Sequence, residues 1–249
     1  MSSNRFTQIG VDRLIRLEWL EKTASLVLAG NDIKTTKDIL QADLQESFRS
    51  DRVDVRGSLD KTITILIKTW ASVPKELKPL HKDALELLKN IPRQNHLPVH
   101  WGMLMSVYPF WAGVALQVGR LLNLQGSAVA AQVQRRVREQ YGERETVARR
   151  TRYVLRSFCD WGVLKETDTQ GIYVAGLKST IDDPQIFAWL VIAYLYTRPN
   201  GSAPFKELIS SPIFFPFSIT QIHPDLLATL SSHIEIHRHG LDEDLLMLK

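Results

Sequence analysis

Between Gln125 and Lys165 the chain carries nine basic residues (Arg135, Arg136, Arg138, Arg144, Arg149, Arg150, Arg152, Arg156 and Lys165) against four acids (Glu139, Glu143, Glu145 and Asp160). That is a local charge of +5 in a protein whose total is +4, so the remainder of the 249 residues sums to −1. Eight of the nine cations are arginine, whose planar guanidinium pairs bidentately with phosphate oxygens and guanine edges where lysine offers only a point charge. A solvated helix face usually mixes signs, so this run points to contact with a polyanion. If that polyanion is a nucleic acid, position along the helices suggests a role for each cation. Arg144, Thr146, Arg149 and Arg150 lie early on one helix and are expected to reach bases. Arg135, Arg138, Arg152, Arg156 and Lys165 are expected to hold phosphates.

Other groups have weaker patterns. His233, Glu235, His237 and His239 share one parity of a candidate strand, but three imidazoles on one strand diverge and no cysteine assists them. An exposed polar strand face is the expectation, with no bound metal. Glu76, Lys78 and the upstream Asp60 have the residue types of a metal-dependent nuclease, yet Pro74 and Pro79 flank the Glu-x-Lys where that chemistry needs a strand. Cys159 stands between Phe158 and Asp160, close to Trp161, and reads as a small core hydrophobe rather than a nucleophile. As the single cysteine it excludes an intramolecular disulfide and fits a reducing, cytoplasmic setting. No glycine-rich phosphate loop is present, and no cofactor is implied. Asn200-Gly201-Ser202 reads as a turn.

The elements that position these groups are mostly helical. Apolar residues recur at three- and four-residue spacings over Val11–Ala29, Thr35–Phe48 and His81–Ile91. Another helix is expected after Ser58, a candidate N-cap, with Ile63, Leu66, Ile67 and Trp70 inward. Arg49–Gly57 is charged and is expected to be a solvated loop, the first site a protease would cut. Pro92 and Pro98 mark a soft boundary. Trp101–Gly119 carries no formal charge, but Ser106, Pro109, Gln117 and three glycines interrupt it, so buried helix rather than membrane span is expected. Helices then follow over Pro109–Leu122, after Ser127 (a candidate cap) to Tyr141, and over Arg144–Asp160, with Gly142 between the last two. On the last, Val147, Thr151, Val154, Leu155 and Phe158 face inward and Arg149, Arg152 and Arg156 form an exposed stripe. Val163–Glu166 and Ile172–Ala175 flank the turn Thr167–Gly171 as a hairpin. Asp183–Thr197 is a strongly apolar helix, and His233–His239 alternates like a strand. No internal repeat is visible in the residues.

Gly142, the helix ETVARRTRYVLRSF and the hairpin VLKETDTQGIYV resemble the winged helix-turn-helix superfamily over about Ser106–Ala175. The resemblance implies that the arginine-rich helix enters the DNA major groove and that the hairpin lies against the backbone or minor groove. One departure is that no Ser, Thr, Asp or Asn follows Gly142 to cap that helix.

Composition is that of an ordinary globular protein, with 44% hydrophobic and 23% charged residues, which excludes a disordered or fibrous chain. The expected fold is mainly α with a small β hairpin. It divides into an N-terminal helical region (1–98), a central winged helix-turn-helix (99–178) and a C-terminal α/β cap (179–249). The expected function is non-catalytic binding of double-stranded DNA, without membrane association. The alternative is an interaction subunit, with a protein partner or a second copy of the chain, whose winged helix serves packing. Because the aromatics Tyr108, Phe110 and Trp111 and the Ile186–Tyr196 helix exceed what a 70-residue unit buries, all three parts are expected to dock as one body.

Overall fold

The computed structural model describes residues 5–48, 55–219, 224–239 and 243–249. The fold is mainly α with small β elements. The first helix, α1 (Leu17–Leu28), begins six residues later than its apolar spacing suggests. The backbone just before it is engaged elsewhere: Ile15 N donates to Ser157 Oγ at 2.9 Å, and Trp161 Nε1 donates to Ile15 O at 2.9 Å. Val11 and Ile15 are buried although neither lies in a helix. α2 (Ile33–Leu44) starts at Asp32, whose carboxylate accepts from Thr35 N at 2.7 Å. α3 (Val55–Trp70) starts before Ser58, which is therefore not a cap; its hydroxyl accepts from Arg13 Nε at 3.0 Å instead. Of the expected 49–57 loop, residues 49–54 lie outside the described residues and 55–57 are helical. α4 (Lys78–Asn90) starts three residues earlier than expected because Pro79 occupies its first turn, where a missing N–H costs nothing. Pro98 likewise sits in the first turn of α5 (Leu97–Val107).

The chain turns at Tyr108 into α6 (Pro109–Gln125), which Gly126 ends with a left-handed φ of 72°. Ser127 does not cap the next helix. It opens the strand β1 (Ser127–Val129), and α7 (Ala130–Tyr141) has no side-chain cap. Gly142 (φ 98°) separates α7 from α8 (Glu145–Asp160), which also lacks a side-chain cap at Arg144, as its sequence foretells. β2 (Leu164–Glu166) and β3 (Ile172–Ala175) form the expected hairpin, and β1 adds to it antiparallel, giving the order β1-β3-β2.

After β4 (Ser179–Ile181), the chain enters α9 (Pro184–Leu195), capped by Asp183, and then β5 (Ser202–Pro204) and α10 (Phe205–Ile209). β6 (Phe217–Ile219) pairs parallel with β4. α11 (Pro224–Leu230), β7 (Ile234–His239) and β8 (Glu243–Leu248) complete the chain, with sheet order β5-β8-β7. This repeats the earlier plan. Helix, strand, helix, helix and two strands run over 109–175 and again, with β6 inserted, over 184–248; in both sheets the first and second strands flank the third.

The two copies and the N-terminal helices meet in one apolar core. Trp101 on α5 stacks on Phe158 of α8 (5.0 Å, 25°) and meets Trp111, Trp161, Phe215 and Phe217 edge-on. Trp189 on α9 donates to Leu80 O at 3.0 Å. Trp101–Gly119 is split between α5 and α6 and is almost wholly buried, and among the described residues no helix is long and apolar enough to cross a membrane.

Candidate nucleic-acid interface

α8 presents three stripes, each one fixed by its residues. Val147, Ala148, Thr151, Val154, Leu155 and Phe158 face the core. Arg150, Tyr153 and Ser157 face the segment before α1, where Arg150 lies 4.0 Å from Asp12 and the Arg13 guanidinium sits 5.9 Å from the centre of the Tyr153 ring. Arg149, Arg152 and Arg156 form the third stripe and are exposed. The helix periodicity requires this division, since residues three, four and seven apart share a face.

The cations differ in what they already hold. Glu145, in the first turn of α8, takes Arg138 at 3.2 Å and Arg152 at 3.1 Å. Arg135 pairs with Glu139 along α7 at 3.8 Å. Arg144 is exposed and donates to Tyr141 O at 3.3 Å. Thr146 is half-buried beside it. Arg150 is half-buried; burial lowers its pKa, and Asp12 opposes that shift. Arg149, Arg156 and, on β2, Lys165 are exposed and form no ion pair among the described residues. The hairpin beside them is held by its own groups: Glu166 Oε1 accepts from Gly171 N at 2.8 Å, and Tyr173 points into the core, where burial raises its phenol.

The remaining chemical candidates stand apart. His233 reaches Asp83 at 3.3 Å and His237 reaches Glu235 at 3.0 Å, so their side chains do not converge. Glu76 lies in a 3-10 turn and pairs with Arg5 at 3.3 Å, while Asp60 is on α3, where its carboxylate accepts from Gln41 at 3.4 Å. Burial pushes the Cys159 thiol up to about 11, which keeps it protonated at neutral pH.

One cluster was not anticipated from the sequence. Glu21 on α1, His96 at the N-cap of α5 and His100 one turn further offer ligand atoms that all lie within 4.8 Å of one another. His96 Nδ1 is 3.0 Å from the Glu21 carboxylate and His100 Nε2 is 2.7 Å from it. Burial alone would raise the Glu21 carboxyl, but the hydrogen bonds to His100 and His96 outweigh it and hold it at about 2. The one local signal was the four-residue spacing of His96 and His100, which places them on one helix face. A cavity of about 440 Å³, lined also by Arg16, Arg93 and Asp160, opens onto the cluster.

Comparison with family models, with curated proteins and with solved structures finds no match to this chain.

Proposed function

We propose that the protein binds double-stranded DNA through residues 109–175 acting as a winged helix-turn-helix, with α8 in the major groove and the β2–β3 hairpin against the backbone. One observation carries this function: Arg149, Arg152 and Arg156 form an exposed cationic stripe on the helix that precedes the hairpin, and Arg149 and Arg156 have no carboxylate partner among the described residues. Cations without internal partners are free to neutralise phosphates and release counterions. The binding is non-catalytic, and the exposed Arg135, Arg144 and Lys165 extend the same basic surface.

The test is replacement of Arg149, Arg152 and Arg156 together by glutamate. None of the three faces the core, so circular dichroism should remain that of the wild type while duplex binding is lost. Binding equal to the wild type would assign the stripe to solvent or to a protein partner.

A second reading, an interaction subunit, is favoured by the C-terminal copy. Its third helix, α11, carries no lysine or arginine and exposes Leu226, while Asp225 is taken by Arg238. Under it the winged helix of 109–175 serves packing within an assembly rather than DNA binding, and α11 offers a surface to a protein partner.

A further inference from the structure

Apart from the arginine face, we propose that Glu21, His96 and His100 form a binding site for one divalent transition-metal ion of the zinc or ferrous class. His96 carries the decisive geometry. Its Nε2 lies 3.1 Å from the Ile91 carbonyl, which can only accept, so Nε2 holds the ring's proton. In the neutral ring Nδ1 is then a lone pair, and it faces both oxygens of the Glu21 carboxylate at 3.0 Å. Two acceptors do not meet at that distance unless a cation lies between them, either a proton or a metal ion. A backbone carbonyl on the far nitrogen is also the usual way a metal-binding histidine is oriented.

His100 closes the third side. It is fully buried, its Nε2 is 2.7 Å from Glu21 Oε2, and its Nδ1 has no partner among the described residues. The contact with a carboxylate oxygen makes Nε2 the donor while no ion is bound; an ion at Nε2 would move that proton to Nδ1, which has no competing partner among the described residues. Ligands at about 2.0–2.1 Å from zinc lie roughly 3.3 Å apart in a tetrahedron. The two contacts to Glu21, now 3.0 and 2.7 Å, would lengthen by about 0.3–0.6 Å, and the two histidine nitrogens, which lie within 4.8 Å of each other, would settle at the same spacing. Two histidines and one carboxylate without thiolate suit zinc or ferrous iron. The adjoining cavity leaves the remaining positions to water or an exogenous ligand. Bound there, the ion would tie α1 to α5.

The test uses the full chain stripped with EDTA and titrated with Zn²⁺ alone, bound metal being counted by elemental analysis after dialysis and stability followed by thermal melting. One Zn²⁺ per chain and a raised melting temperature are expected, with Glu21→Gln and His96→Gln each weakening binding at least ten-fold. His233→Ala, on the histidine-bearing β7 side, should bind as the wild type does. Co²⁺ on the wild-type chain gives an independent readout through its ligand-field absorption, which needs no variant to fold. Absence of stoichiometric Zn²⁺ and Co²⁺ on the wild type, or equal binding by folded Glu21→Gln, overturns the proposal and leaves a proton between His96 and Glu21.

Discussion

Arg149 and Arg150 are neighbours in sequence and differ in what they touch. Arg149 is exposed and without a carboxylate partner among the described residues; Arg150 is half-buried against Asp12. Their alanine variants should therefore separate. Arg149→Ala should weaken duplex binding by about 1–3 kcal/mol on a preferred sequence and leave stability within about 0.5 kcal/mol. Arg150→Ala should lower stability by about 1 kcal/mol, through lost packing and a weak ion pair, and change DNA affinity little. Anisotropy titrations beside thermal melts read both quantities, and a reversed pattern would reassign the two side chains. Tyr141 supplies a pH test. Its hydroxyl donates to Pro109 O at 3.2 Å, and burial raises its phenol from the usual 10 to about 12. The folded chain keeps this proton where the unfolded chain has released it. The stabilisation is thus complete below pH 10 and is lost between 10 and 12 at about 1.4 kcal/mol per pH unit. Tyr141→Phe should be less stable than wild type at neutral pH by about 0.5–1.5 kcal/mol and should lose less on going from pH 9 to 11. Parallel melting curves for the two proteins over that range would contradict the assignment.

At the scale of elements, close packing turns some positions into fixed points. A Cβ at Gly119 on α6 would collide with the Pro212 carbonyl, a backbone atom that cannot swing aside as a side chain would. Gly119→Ala should cost about 1–3 kcal/mol, read as a lowered melting temperature. Much of the element plan was legible in the residues. Periodicity located α6, α7 and α8, Gly142 located the turn, and the segment around Thr167–Gly171 located the hairpin. The misread points share one cause, which is that a local signal cannot see a distant partner. Ser58 and Ser127 have the chemistry of caps, yet Arg13 takes the first and β3 pairs with the strand of the second. The segment before α1 has helical spacing, but Ser157 and Trp161 claim the backbone of Ile15 from more than a hundred residues away. Glu21 and His96 are 75 residues apart, so only folding reveals their cluster. The repeated element order leaves no trace in the residues because the copies share connectivity and not sequence. α8 has 16 residues with four arginines, whereas α11 has seven and none.

On the scale of the whole molecule, one apolar core joins all parts of the chain. Trp101, Trp111, Phe158, Trp161 and Phe215 bring α5, α6, α8 and the segment after α10 into contact, so none of these can leave without exposing an aromatic cluster. Thermal unfolding followed by far-ultraviolet circular dichroism and by tryptophan fluorescence should therefore give coincident single transitions. Limited proteolysis should release no intact 100–175 fragment. Early release of that fragment, or two separated transitions, would contradict a single cooperative body. Such a body presents the α8 stripe on a rigid support, which is what reading a duplex requires. The salt dependence of wild-type duplex binding tests that function most directly. With four to six phosphate contacts, log K should fall against log salt with a slope of about −4 to −5. No measurable duplex binding at low salt, or affinity that does not change with salt, would contradict DNA recognition by the arginine face.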